Sequence, residues 1–291
     1  MDIDTTSSFG PRAFLPKTDL SSRITDSTIL GSRPLKSLIA YALEGFPLIR
    51  SGDDVGKIIF EVCKNNGLSI KDHDVIVVAQ KIFSKAEKRV LNLKDVVASQ
   101  EAKKLSRVTG KDPRFIELVL RETKTVLKAS REILLVKDRR GLVCINAGID
   151  KSNIKGGENF ALLPKNPDRS TRKCRLTIEK LTGKRVAVVM CDTYSRPFRR
   201  GQVNFAIGVS GTNLFRDYRG KKDLFGHVLR VKNVAVVDEV AAAAELLMGQ
   251  GAEATPVVII RGLRSFAESC ENCRIRELTI SSEDDLFKGV L

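Results

Sequence analysis

Val186-Ala187-Val188-Val189-Met190-Cys191-Asp192-Thr193 is the stretch that decides how the chain is read. An apolar run without a polar break suits a strand buried on both faces, and it stops on a carboxylate and a hydroxyl. Asp74-Val75-Ile76-Val77-Val78-Ala79 shows the same pattern earlier in the chain, and Val234-Ala235-Val236-Val237 and Pro256-Val257-Val258-Ile259-Ile260 show it later. Strands covered on both faces need helices to cover them. Residues 54–65 place Val55, Ile58, Ile59 and Val62 at helical spacing. Residues 99–109 and 114–128 predict two more helices, the second opening just after Pro113. Residues 133–136 and 142–145 predict two strands joined by a turn at Arg140-Gly141. Turn chemistry at Lys165-Asn166-Pro167-Asp168 precedes a basic helix to about Thr182, and an Ala-rich helix follows Asp238-Glu239 as far as Met248.

Strands and helices do not alternate strictly, so the expected class is α+β, or mixed α/β, with a boundary near residue 165. The expected parts are 36–165 and 166–291, preceded by a flexible tail over 1–35. That tail is rich in Ser, Thr and Asp and is punctuated by Pro11, Pro16 and Pro34.

The 291 residues are 42% apolar and 29% charged, a balance that excludes disorder along the whole chain. No run approaches the roughly 18 apolar residues of a membrane span. The N-terminus lacks a basic-then-apolar leader pattern, and a cytoplasmic protein without membrane contact is expected. The net charge of +15 predicts anionic partners. A nucleic-acid partner is disfavoured, because the basic residues are dispersed from Arg12 to Lys288, Trp is absent and aromatic residues are only 5%. Four of the six cysteines, including Cys144 and Cys191, read as small core residues. Cys270 and Cys273, which lack a second pair or a nearby His, read as two accessible thiols.

The chemistry gathers where apolar strands stop. Asn146-Ala147-Gly148-Ile149-Asp150-Lys151-Ser152-Asn153 follows one strand, and the loop Asp192-Thr193 through Arg200-Gly201 follows another. Asp150 and Asp192 supply hard oxygen ligands of the kind Mg²⁺ and Mn²⁺ accept. Arg196, Arg199 and Arg200 carry planar forks that match phosphate and carboxylate. Gly208-Val209-Ser210-Gly211 and the stretch 247–251 read as Gly-containing turns able to bring backbone N–H groups to a phosphate. A P-loop is excluded: Val55-Gly56-Lys57-Ile58 and Thr182-Gly183-Lys184-Arg185 lack both the first Gly and the hydroxyl residue.

Taken together, several blocks resemble the F420-0:γ-glutamyl ligase family: Glu44-Gly45-Phe46-Pro47-Leu48-Ile49, Ser51-Gly52-Asp53-Asp54, residues 77–87, Gly110-Lys111-Asp112-Pro113-Arg114, the two strand-end segments above, residues 220–226, and Asp238-Glu239 through Gly249-Gln250. The resemblance runs from about Ala42 onward and implies a two-lobed ligase fold. It implies that GTP and L-glutamate convert coenzyme F420-0 to F420-1, releasing GDP and phosphate through an acyl phosphate, with a second γ-linked glutamate giving F420-2. By the same resemblance the nucleotide touches Phe46, Pro47, Leu48, Ile49, Gln80, Lys81, Lys85, Asn153 and the segment Met248, Gly249, Gln250, Gly251, Ala252, Glu253, Ala254, Thr255. One divalent ion falls to Asp150 and Asp192, a second to Thr193 and Gln250, and K⁺ is implied as a monovalent activator. Arg196 and Arg199 join Asp150 and Asp192 as the expected catalytic set. The resemblance also implies a homodimer. The alternative readings are a related nucleotide-dependent ligase acting on another anionic carboxylate, a GTP-binding module without chemistry, and a nucleic-acid-binding protein.

Overall fold

The computed structural model describes residues 36–285 except 265, 267–269, 271 and 282. The expected tail over 1–35 lies outside the described residues. Along the chain the elements are β1 (Ile39–Ala42), α1 (Val55–Asn65), β2 (Val75–Ala79), α2 (Gln80–Ala86), β3 (Val90–Asn92), α3 (Gln100–Thr109) and α4 (Pro113–Glu122). Next come β4 (Thr123–Ser130), β5 (Ile133–Asp138), β6 (Val143–Ile145), β7 (Asn159–Ala161) and α5 (Pro167–Thr182). The last are β8 (Ala187–Arg196), β9 (Arg199–Ser210), β10 (Arg216–Asp217), β11 (Asn233–Val234), α6 (Val236–Met248) and β12 (Val257–Arg261).

Five strands form the central sheet in the order β1-β12-β2-β8-β9. Only β2 and β8 run parallel; the other neighbours are antiparallel. The mixed α+β class expected from the sequence is what the chain adopts. Alternation along β2 shows why its run is apolar throughout. Ile76 and Val78 face a core shared with Ile59 and Val62 of α1 and Ile178 of α5. Val75 and Val77 face the opposite core, with Val237, Val240, Ala241 and Ala244 of α6. Helices therefore cover both faces, and a polar residue on either would sit in a dry core. The sheet takes β2 from one side of residue 165 and β8 and β9 from the other. A third core lies between α3–α4 and the three-stranded sheet β4-β5-β6, built on Ile116, Leu118, Val119, Leu134 and Val136.

Side-chain caps set the helix starts. Asp54 accepts the Lys57 N–H at 3.1 Å, and Asn166 accepts the Arg169 N–H at 3.0 Å, with Pro167 in the first helical turn of α5. The long basic helix of α5 packs close on α1 at Gly56, where a Cβ would lie 2.7 Å from the Cys174 carbonyl oxygen.

Five expectations are corrected. The helix expected over 114–128 ends at Glu122, and residues 123–130 form β4. Its apolar face is complete by Val119; the β-branched Thr123, Thr125 and Val126 then pair with β5. The strand expected over 234–237 shrinks to a two-residue β11, and Val236 and Val237 open α6. There Asp238 and Glu239 occupy the first turn, where carboxylates favour the helix dipole. Asp192 does not end its strand: β8 continues to Arg196 and turns at Pro197-Phe198 into β9, so the supposed loop is a hairpin. Gly208 is a residue of β9, not a turn; a Cβ there would meet Pro167 of α5 at 2.6 Å. Cys270 and Cys273 form a disulfide instead of two thiols, while Cys63, Cys144, Cys174 and Cys191 are buried and free, as expected.

Candidate active site

The parallel pair decides where the site lies. β2 ends beside the middle of β8, with Ala79 registered opposite Cys191. The chain leaves β2 directly into α2, which presents Gln80 and Lys81 at its first turn. Asp192 and Thr193 follow Cys191 on the still-extending β8. A cavity of about 310 Å³ opens where β2 stops and β8 runs on. Such strand-end crevices collect ligands because a rigid sheet positions the loops around them.

The remaining walls come from segments distant in sequence. Phe46, Pro47, Leu48 and Ile49 form one side. Lys85 projects one turn beyond Lys81, and Asn153 closes another edge by donating to the Gly251 carbonyl at 3.1 Å. Residues 248–256, the exit from α6, form the last wall. The exit is tightly wound: Gly249 has φ of +65°, and any Cβ there would collide with the Glu253 carboxylate. Glu253 in turn accepts the Gly251 N–H at 2.8 Å, and Thr255 donates to the Leu247 carbonyl at 2.9 Å.

Asp150 stands behind Lys81. Its carboxylate lies 2.6 Å from the Lys81 ammonium and accepts the Ser152 N–H at 2.9 Å, while Lys81 also donates to the Ser152 hydroxyl at 2.9 Å. Burial opposes its ionisation, yet Lys81 and Ser152 hold the Asp150 carboxyl below its ordinary value. Asp192 behaves in the opposite way. Burial pushes its carboxyl up to about 7 and the Asp150 charge adds to that, against the Thr193 N–H and the Lys81 ammonium. Burial and the neighbouring Lys81 likewise lower the Lys85 ammonium. Asp192 and the two lysines thus share one crevice, and Asp150, which does not line it, acts on them through Lys81 and through its charge.

Neutral oxygens complete the donor set. The Thr193 hydroxyl lies 2.9 Å from Asn204 Oδ1 and 3.2 Å from Gln250 Oε1. Among the described residues no group of three or more His, Cys, Asp or Glu side chains could hold a metal ion. A soft-metal site is not formed there. Two carboxylates beside hydroxyl and amide oxygens, one carboxyl destabilised as an anion by burial, fit a hard divalent cation that keeps part of its water shell.

Most residues expected at the nucleotide and metal positions therefore converge on one cavity. Asp150, Arg196 and Arg199 do not line it. Arg196 donates to the Arg200 carbonyl at 3.1 Å across the hairpin, and Arg199 is exposed. Sequence reading overlooked Ala79, Ile82, Cys191, Asn204 and Pro256, which also line the cavity. Asn204 is the polar one. It is 4% exposed on β9, opposite Thr193, and the signal for it in the sequence was weak: an amide at the start of the apolar half of the strand, two residues after Gln202.

The family model described as F420-0:Gamma-glutamyl ligase matches residues 45–262, the span that holds four of the five central strands and every residue lining this cavity. The chain belongs to the F420-0:gamma-glutamyl ligase family. Members similar to it include the coenzyme F420:L-glutamate ligase of Methanothermobacter thermautotrophicus, 40% identical over 85% of this chain and 97% of that protein. The enzyme of the same name from Methanocaldococcus jannaschii is 43% identical over 76% of this chain and 86% of its own length. That of Archaeoglobus fulgidus is 42% identical over 86% and 96%. For this F420-0:gamma-glutamyl ligase family member, the expected family and the mixed α+β fold both hold. Among the described residues no helix is long and apolar enough to cross a membrane.

Proposed function

We propose that the protein ligates L-glutamate to coenzyme F420-0 at the expense of GTP, giving F420-1 and then γ-linked F420-2. Support comes from the family and from one observation above all. In the crevice at the end of β2, Lys81, ion-paired with Asp150, lies beside the raised carboxyl of Asp192.

In the proposed reaction the acceptor carboxylate attacks the γ-phosphorus, the bond to the GDP oxygen breaks, and an acyl phosphate forms. The amine of L-glutamate then attacks the acyl carbon, an amide bond forms, phosphate leaves and the amine proton passes to solvent or a nearby base. Such chemistry depends on positioning and charge neutralisation more than on covalent catalysis. Lys81 and Lys85 neutralise phosphate oxygens, and the 248–255 wall and Asn153 orient the nucleotide. The apolar Phe46–Ile49 side excludes water that would hydrolyse an acyl phosphate. Asp150 and Asp192 are the residues to hold one divalent ion, Mg²⁺ or Mn²⁺, and Thr193 and Gln250 a second, with K⁺ as the monovalent activator. When bound, such ions supply charge neutralisation at the transferring phosphoryl group.

The protein is proposed to act in the cytoplasm as a homodimer. Ile133, Val143 and Ile145 lie on the outward face of the β4-β5-β6 sheet and are 40%, 51% and 38% exposed. This apolar strip, beside Lys137 as the register partner of Val143, suits a partner subunit.

Mass spectrometry of F420-0 incubated with protein, GTP, Mn²⁺ and L-glutamate tests the reading. The expected result is a product heavier by one and then two glutamyl residues, with much slower formation when ATP replaces GTP at equal subsaturating concentration. No mass gain under these conditions, with phosphate released regardless of acceptor, would overturn it.

A further inference from the structure

A second concavity shares no residue with the active-site crevice. It opens where the start of α5 meets the Arg139-Arg140 turn and residues 272–276, and its volume is about 570 Å³. Arg139, Lys165, Arg169, Arg172, Arg274 and Arg276 stand around it, all exposed. Its single carboxylate, Asp168, is already engaged: it accepts the Val209 N–H at 3.0 Å and the Ile275 N–H at 3.2 Å. That carboxylate anchors the wall and leaves the cations uncompensated.

Arg140 gives the concavity a buried floor. Its side chain is only 9% exposed. The Nε donates to Asp138 at 2.7 Å and Nη1 donates to Glu122 at 2.9 Å, but Nη2 is buried without any partner. A guanidinium nitrogen that makes no hydrogen bond within the protein retains the capacity to donate to one further acceptor, a ligand or a water. An adjoining groove of about 690 Å³ shares Lys165, Asn166, Arg169 and Arg172 and continues along α5 past Lys173 to Lys180, with Glu87 as the one carboxylate among five cations. The positive channel is thus longer than a single ion requires. None of the residues lining the concavity or the groove is aromatic, so neither offers a stacking platform for a base.

We infer that this channel is a second anion site, one that binds a short chain of condensed phosphate. Guanidinium forks pair bidentately with phosphate oxygens. A condensed phosphate also carries a charge on every unit, matching cations spaced along a helix. A free chain and the phosphate tail of a nucleotide share this chemistry.

Calorimetric titration of the full chain with sodium tripolyphosphate, at near-physiological salt, tests the site. The expected result is a saturable event that Arg169→Glu/Arg172→Glu weakens at least tenfold while glutamate ligation at saturating substrate is unchanged. Lys103→Glu/Lys104→Glu, on exposed positions of α3, alters net charge equally and is expected to leave that event intact. Arg140→Lys keeps the charge but loses the fork, and is expected to weaken binding as well; should it fail to fold, the α5 pair still decides. ATP competing with tripolyphosphate for this event identifies a nucleotide tail as an accepted source, whereas indifference to ATP leaves the free chain as the ligand. Three outcomes would overturn the inference: no binding, equal loss in both double variants, or an event indifferent to Arg169 and Arg172. Citrate binding as tightly as tripolyphosphate would overturn the phosphate assignment.

Discussion

Asp192 owes its proton affinity to where β8 carries it. Burial places the carboxyl near 7, so ionisation at this position opposes folding in the absence of a cation. For a carboxyl raised from 3.8, stability declines as pH rises toward the folded value and the whole penalty is present above it. Asp192→Asn is therefore expected to hold or raise the melting temperature in chelator, with a larger gain at pH 8 than at pH 5, read by calorimetry. The same substitution removes a charge from the phosphoryl-transfer region and is expected to slow ligation by at least about two orders of magnitude. Near-wild-type turnover at low Mn²⁺ would remove Asp192 from the metal set. Its neighbour illustrates what spacing leaves unsaid: Asp150 and Asp192 look alike in the sequence, but only Asp150 acquires an ammonium at 2.6 Å.

At the scale of elements, the small sheet β4-β5-β6 is tied to the rest of the fold by charge. Glu122, at the end of α4, pairs with Arg89 at 2.7 Å and with Arg140 at 2.9 Å, and Arg140 also pairs with the fully buried Asp138. Burial opposes ionisation of Glu122, but the two arginines outweigh it and hold the carboxyl below its ordinary value. Its contribution is therefore complete above the unfolded value of 4.5 and is lost as pH falls through the lower folded one. Glu122→Gln leaves two buried guanidinium groups short of an anion and is expected to cost about 3–5 kcal/mol at pH 7 in urea unfolding, shrinking as pH falls below 4.5. A penalty independent of pH would show that packing, not charge, is what the substitution disturbs. Helix–sheet contact has its own limit at Gly208, where Pro167 leaves no room for a Cβ. Gly208→Ala is expected to destabilise by about 1–3 kcal/mol. An unchanged urea midpoint would contradict that close approach.

For the whole molecule, the outward face of β4-β5-β6 and the N-terminal residues carry the remaining expectations. Val143→Asp/Ile145→Asp is expected to convert a dimer to monomers in light scattering after gel filtration, without loss of helix content by circular dichroism; an unchanged dimer mass would move the interface elsewhere. Deleting residues 1–30 is expected to leave turnover and melting temperature nearly unchanged, since the segment is polar and aperiodic and precedes the family match at residue 45. A marked loss of either would show that these residues dock on the body.

What the sequence determined by itself were the features that depend on local pattern. The unbroken apolar runs at 75–79, 187–191 and 257–260 read as strands covered on both faces, and they are. The helical spacing over 54–65 and the turn at 165–168 announced their helices, and the ordered blocks along the chain carried the family. What only the tertiary structure decided were the features set by pairing across distance. Thr123 to Ser130 became a strand because β5 offered it a partner, and Val236-Val237 became helix because that face of the sheet needed covering. Asn204 joined the site because β9 folds back opposite Thr193, and Arg196 stayed out of it because its hairpin carries it past the crevice. Local preferences differ by about a kcal/mol or less per residue, so burial and strand register, which act over many residues at once, decide every place where the two disagree.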